Sequence, residues 1–79
     1  MTFVYVLQSE IKPEAYYVGL TNDLTRRLEE HNSGKSIHTN KFRPWKLVVS
    51  NGFADPAKAA QFERYLKSGS GRAFAKCHF

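Results

Sequence analysis

The sequence predicts an α+β domain with its elements in the order β-β-α-β-α. Two runs of β-branched and aromatic residues stand close together near the start, separated by a loop that carries Pro13. Two later stretches repeat apolar residues at helical spacing, each preceded by N-cap residues, and an extended run lies between them. A chain of 79 residues holds one domain, 1–79, on the usual scale of about 150 residues per domain.

The first run, Thr2 to Leu7, reads as a strand with Phe3, Tyr5 and Leu7 on one face and Val4 and Val6 on the other. Ser9 to Glu14 is a connecting loop. Ala15 to Leu20 is a second strand, and the two are expected to form an antiparallel hairpin. Placing Tyr5 opposite Tyr17 pairs Leu7 with Ala15 and Phe3 with Gly19, and sets both tyrosines on one face. A helix follows, with Thr21, Asn22 and Asp23 as N-cap candidates and Asn32-Ser33-Gly34 as its stop. Leu24 and Leu28 mark its buried side. At about 100° per residue, Arg27 and His31 fall within about 60° of Leu24, whereas Arg26 points to solvent.

Lys35 to Arg43 is a basic loop or short helical turn, ended by Pro44. Trp45 to Phe53 is the third strand. Asp55 and Pro56 open the second helix, an aspartate cap with proline at the first helical position. Its apolar stripe is Ala59, Phe62 and Leu66, and Lys58, Gln61, Arg64 and Lys67 form its polar side. Ser68-Gly69-Ser70-Gly71 breaks it, ahead of a short basic aromatic tail.

Composition narrows the class. Hydrophobic residues are 42% and charged residues 24%, within the globular range. A single cysteine excludes a disulfide framework, and with three histidines it makes no zinc-finger spacing. The apolar run Val4–Leu7, with Phe3 ahead of it, is too short for a signal peptide or a membrane span. A soluble cytoplasmic domain without membrane association is expected. The net charge of +5 is unevenly placed. From His31 to Ala54 there are Lys35, Lys41, Arg43 and Lys46 and no acid; from Arg64 onward there are Arg64, Lys67, Arg72 and Lys76 and no acid. Clustered positive charge suits a polyanion, of which nucleic acid is the commonest.

Glu63 is out of place, since it falls between Ala59 and Leu66 inside the apolar stripe. A carboxylate there must be paired or bound to a cation. Two readings stand open: an ion pair with Arg27, or a ligand for a divalent metal, for which oxygen donors are the right chemistry. With Tyr5, Tyr17, Arg27 and His31 it makes an inventory suited to phosphoryl chemistry, where cations stabilise charge on phosphate and a phenol or imidazole handles the proton. Ser68-Gly69-Ser70-Gly71 lacks the spacing of a phosphate-binding loop. Cys77 and His78 lack metal partners. Trp45 could stack on a base but reads better as core.

Phe3-Val4-Tyr5, Tyr17-Val18-Gly19, Arg27 ten residues after Tyr17, His31 four further on, and a helical Glu63 before Leu66-Lys67 together resemble the GIY-YIG nuclease family, in its small stand-alone bacterial branch. The likeness extends over essentially the whole chain. Phe3 and Val4 stand where the family name has Gly and Ile, and the asparagine that some members place after the last helix has no clear counterpart.

The resemblance implies a three-stranded antiparallel sheet flanked by helices, with short extra helices allowed, and metal-dependent cleavage of DNA in repair or processing. It implies that Tyr5 and Tyr17 are the two family tyrosines, that Arg27 and His31 are the helical pair, and that Glu63 holds one Mg²⁺ or Mn²⁺. Arg26, Lys35, Lys41, Arg43, Lys46, Lys67 and Arg72 are expected to hold the DNA backbone, contacts that position without reading sequence. Tyr5, helped by His31, is the choice to take the proton of the attacking water, with Tyr17 orienting water or phosphate and standing as the alternative base; with a free phenol pKa near 10, the metal and nearby cations are expected to lower it. Relatives with separate DNA-binding domains leave room for a protein partner that supplies specificity. A non-catalytic binding module and a subunit active only within a complex are the alternatives.

Overall fold

The computed structural model describes residues 1–35 and 40–68. They form β1 (Thr2–Ser9), β2 (Tyr16–Thr21), α1 (Leu24–Asn32), a 3₁₀ turn at Asn40–Phe42, β3 (Trp45–Phe53) and α2 (Pro56–Lys67). The three strands make one antiparallel sheet in the order β2-β1-β3, so the α+β architecture is the one expected. Arg72, Cys77, His78 and the Gly-Ser segment beyond Ser68 lie outside the described residues, as does the middle of the basic loop.

β1 is central, and helices cover both faces of it. Val4 and Val6 pack with Ala59 and Leu66 of α2, joined by Val18, Val49, Phe53 and Phe62. Tyr5 and Leu7 pack with Trp45 and with Leu24 and Leu28 of α1. Because side chains alternate along a strand, α1 and α2 lie on opposite sides of the sheet. That is why four consecutive residues of β1, Val4 to Leu7, are all buried. Trp45 is core, not a free stacking surface.

The expected hairpin register is corrected by two residues. Tyr5 faces Gly19, Leu7 faces Tyr17 and Phe3 faces Thr21. A slip of two preserves the face of every side chain, so both tyrosines still share one side. Space explains the shift. A Cβ at Gly19 would lie 2.5 Å from the Tyr5 hydroxyl and 2.6 Å from Cζ, so only glycine lets this buried ring cross the neighbouring strand. β1 runs two residues past its expected end, because Gln8 pairs with Tyr16 and Ser9 with Trp45, and β2 is displaced by one, starting at Tyr16 and ending at Thr21 opposite Phe3.

Asp23 takes the N-cap of α1, accepting from the Arg26 N–H at 3.1 Å, while Thr21 braces the preceding turn through the Asp23 N–H. The helix ends at Ser33. Gly34 adopts φ 84°, and the Lys35 N–H returns to the Glu30 carbonyl at 3.2 Å, a terminal wrap that needs a residue at ease in the left-handed region. Asn32 does more than mark this stop. Its Oδ1 accepts from the Trp45 N–H at 2.5 Å and its Nδ2 donates to the Trp45 carbonyl at 3.0 Å, fastening α1 to the start of β3. Asp55 caps α2, with Pro56 behind it.

Candidate active site

Tyr5, Tyr17, Arg27 and His31 converge on the α1 side of the sheet. The strand period puts both phenols there, and the helical period brings Arg27 and His31 over them. Arg27 Nε donates to the Tyr5 hydroxyl at 3.3 Å, and the same hydroxyl lies 2.9 Å from His31 Nε2. The Tyr17 ring is 4.8 Å from the His31 ring and 6.2 Å from that of Tyr5. The two adjacent arginines divide as their helical positions predict: the Arg26 side chain is 77% exposed and that of Arg27 33%.

Burial sets the protonation of this cluster. It pushes the Tyr5 phenol above its ordinary value, with the Arg27 hydrogen bond opposing but not offsetting it. Of the influences expected to lower this phenol, Arg27 by itself does not offset desolvation. Burial, with Arg27 nearby, holds the His31 imidazole below its usual range. His31 is fully enclosed, in the last turn of α1. A guanidinium can only donate and a neutral imidazole offers one lone pair. The arrangement that satisfies all three groups runs from Arg27 N–H to the Tyr5 oxygen, and from the Tyr5 O–H to His31 Nε2.

A depressed His31 pKa has a stability consequence. The unfolded chain takes up this proton near pH 6.5, whereas the folded chain resists it, so stability falls as pH drops below about 6.5. The melting temperature of the wild type should decline between pH 7.5 and 5.5 more steeply than that of His31→Gln. Parallel declines would show that His31 is not held neutral.

Glu63 stands apart from this cluster. It belongs to α2, whose Ala59 and Leu66 pack on Val4 and Val6, and its side chain is 17% exposed with Oε2 2.8 Å from Lys67 Nζ. The ion pair of Arg27 is with Glu30, at 3.7 Å, so the expected Glu63–Arg27 pair is replaced by two local ones. No group of three His, Cys, Asp or Glu side chains able to hold a metal occurs among the described residues. One carboxylate still suits Mg²⁺, which keeps most of its waters and completes its shell with substrate phosphate. The Lys67 ammonium pairs with this oxygen, and a metal bound there would displace it.

Of the expected backbone contacts, Arg26, Lys35, Lys41, Arg43 and Lys46 are exposed. Lys67 is half exposed and spends its charge on Glu63. Four residues near the site escaped the sequence reading of function: Gly19, whose bare backbone admits Tyr5; Glu30, which reaches both arginines; Asn32; and Ser9, buried with its hydroxyl on the Phe42 carbonyl at 2.6 Å. Gly19 had a signal, as the last residue of the second tripeptide. Glu30 had one too, its helical spacing from both arginines; Asn32 and Ser9 had none, because Trp45 and Phe42 lie far along the chain.

The antiparallel sheet thus presents two tyrosines beneath a helical arginine and histidine. The GIY-YIG catalytic domain matches residues 1–76, and the chain belongs to the GIY-YIG family. It is 40% identical over 82 residues to the structure-specific endonuclease subunit SLX1 of Scheffersomyces stipitis, covering 95% of this chain and 22% of that protein. It is 42% identical over 66 residues to a UPF0213 protein of Streptococcus pneumoniae serotype 4, and 38% identical over 66 residues to the UPF0213 protein YazA of Bacillus subtilis. Each of these bacterial matches covers 82% of this chain and 65% of the relative. The chain thus spans under a quarter of the SLX1 protein and about two thirds of the bacterial ones.

Proposed function

We propose that this nuclease domain is a divalent-metal-dependent endonuclease that hydrolyses DNA phosphodiester bonds, selecting DNA structure more than sequence. The observation that carries the reading is the directed chain from Arg27 through Tyr5 to His31. As water attacks phosphorus, the Tyr5 oxygen accepts its proton while the Tyr5 proton passes to His31 Nε2. This exchange spares the buried phenol a free phenolate state. Arg27, beside the same oxygen, meets the charge that grows on the phosphate. Tyr17 orients the water or the phosphate and is the alternative proton acceptor. Glu63 would hold Mg²⁺ or Mn²⁺, which when bound polarises the phosphate and steadies the leaving oxygen. A role in DNA repair or processing, in the cytoplasm, accompanies this reading. The relatives named as endonuclease subunits support a partner chain that supplies specificity.

The test is nicking of supercoiled plasmid, and cleavage of fork and flap duplexes, by the purified chain with Mg²⁺, Mn²⁺ or EDTA. Tyr5→Phe keeps the buried ring and removes the relaying oxygen. It should retain duplex binding and lose at least about 100-fold in cleavage. Wild-type cleavage by Tyr5→Phe would overturn the relay. Duplex binding without cleavage of any substrate would favour a binding module, and cleavage only with a copurified partner would favour an obligate subunit.

A further inference from the structure

A second basic site is built around Phe42, from residues the proposed chemistry does not use. Lys12, in the loop between β1 and β2, places Nζ 4.9 Å from the centre of the Phe42 ring, and Lys41 places its own 5.6 Å from the same centre. Both distances are within cation–π range. The seat beneath them is tied together by one buried hydroxyl. Ser9 Oγ donates to the Phe42 carbonyl at 2.6 Å and accepts the Lys12 N–H at 3.0 Å. A backbone bond from Glu10 N–H to the Pro44 carbonyl at 3.0 Å fixes the two loops again. So the convergence of the lysines follows from the fold and is not a chance meeting of long side chains.

Two ammonium groups drawn to one ring repel each other, and among the described residues no ion pair joins either of them to a carboxylate. The ion pairs among the described residues join Arg26 and Arg27 to Glu30 and Lys67 to Glu63. Glu10 and Glu14, in the same loop as Lys12, make none with it. Arg43, exposed on the next residue after Phe42, adds a third positive charge. An anion between the lysines would turn the repulsion into attraction, and the aromatic ring keeps their ammonium groups from spreading into solvent.

We infer that Lys12 and Lys41, seated on Phe42, clamp the phosphate backbone of duplex DNA. The inference rests on the nuclease reading for the identity of the polyanion, and it adds Lys12, which the sequence pattern did not mark. The clamp lies at the β1–β2 loop and the turn before β3, with Phe42 packed on the same core cluster as Tyr5; its lysines make none of the relay's hydrogen bonds, so it holds the duplex and takes no part in the chemistry.

The experiment measures binding of a fluorescein-labelled duplex by the full chain, without metal, across a salt series. Each lost phosphate contact lowers the salt slope by about 0.9. Lys12→Gln and Lys41→Gln should each lower the slope by about that amount and weaken binding about eightfold at 0.1 M salt; the double variant should lose about twice the slope. Ser9→Ala, which frees the seat but keeps every charge, should weaken binding with little change in slope. Lys58→Gln, on the exposed side of α2, should bind as wild type. An unaltered slope and affinity in Lys12→Gln would overturn the clamp while leaving the nuclease reading intact. Tighter, Lys12-dependent binding of polyglutamate than of duplex would reassign the site to an acidic protein. Failure of the wild type to bind duplex at all would overturn both clamp and nuclease reading.

Discussion

Replacing Arg27 by alanine should reduce turnover by two or more orders of magnitude, whereas replacing Arg26 should mainly soften binding at raised salt. The two residues are neighbours in sequence and identical in charge, so their difference isolates position. Arg27 is two-thirds covered and donates to the Tyr5 hydroxyl at 3.3 Å. Its loss removes both the charge that faces phosphate and the donor that polarises Tyr5, together roughly 3 kcal/mol or more of transition-state stabilisation. Arg26 is 77% exposed and only 3.9 Å from Glu30, a solvated contact of little energetic weight. Arg27→Lys should recover little, because a lysine lacks the planar fork. Single-turnover cleavage beside a salt series of binding constants separates these effects. Equal losses from the two alanine variants would contradict the orientation of α1.

Glu63→Gln should abolish metal-dependent cleavage while leaving the fold intact. The carboxylate pairs with Lys67, a half-exposed residue one helical turn on, and such pairs contribute at most about 1 kcal/mol. Glutamine keeps the length and an acceptor oxygen, so the melting temperature should change by no more than roughly 5 °C. In the wild type, Mg²⁺ or Mn²⁺ should raise the melting temperature by mass action, and the variant should show no such rise. Thermal melts with and without metal, run beside plasmid nicking, measure both. A large loss of stability with cleavage retained would defeat the metal role of Glu63.

Much of this could be read from the chain. Asp23 and the Asp55-Pro56 pair announce their helices, Trp45 to Phe53 is the third strand with both ends as expected, and alternation along β1 sorts Tyr5 and Leu7 from Val4 and Val6. Helical spacing also separates Arg27 from Arg26. What stayed hidden was three-dimensional. A helical stripe says which residues of α2 face inward but not which charged partner each finds, so the expected Glu63–Arg27 pair gives way to Glu63–Lys67 and Arg27–Glu30. Strand patterning is blind to a slip of two, and only the contact between Tyr5 and Gly19 decides it. Lys12 and Phe42 meet through a fold that no local pattern encodes.

The Asn32 clamp has a consequence for how the domain breathes. The backbone proton of Trp45 is held by a side chain of α1, so that amide can exchange with solvent when the helix lifts, even while the strands stay paired. Tyr5, Tyr17, Arg27 and His31 all depend on the same helix being seated. One amide on the far strand therefore keeps time with the opening of the whole cluster, and its exchange rate is a clock for how often the catalytic helix leaves the sheet.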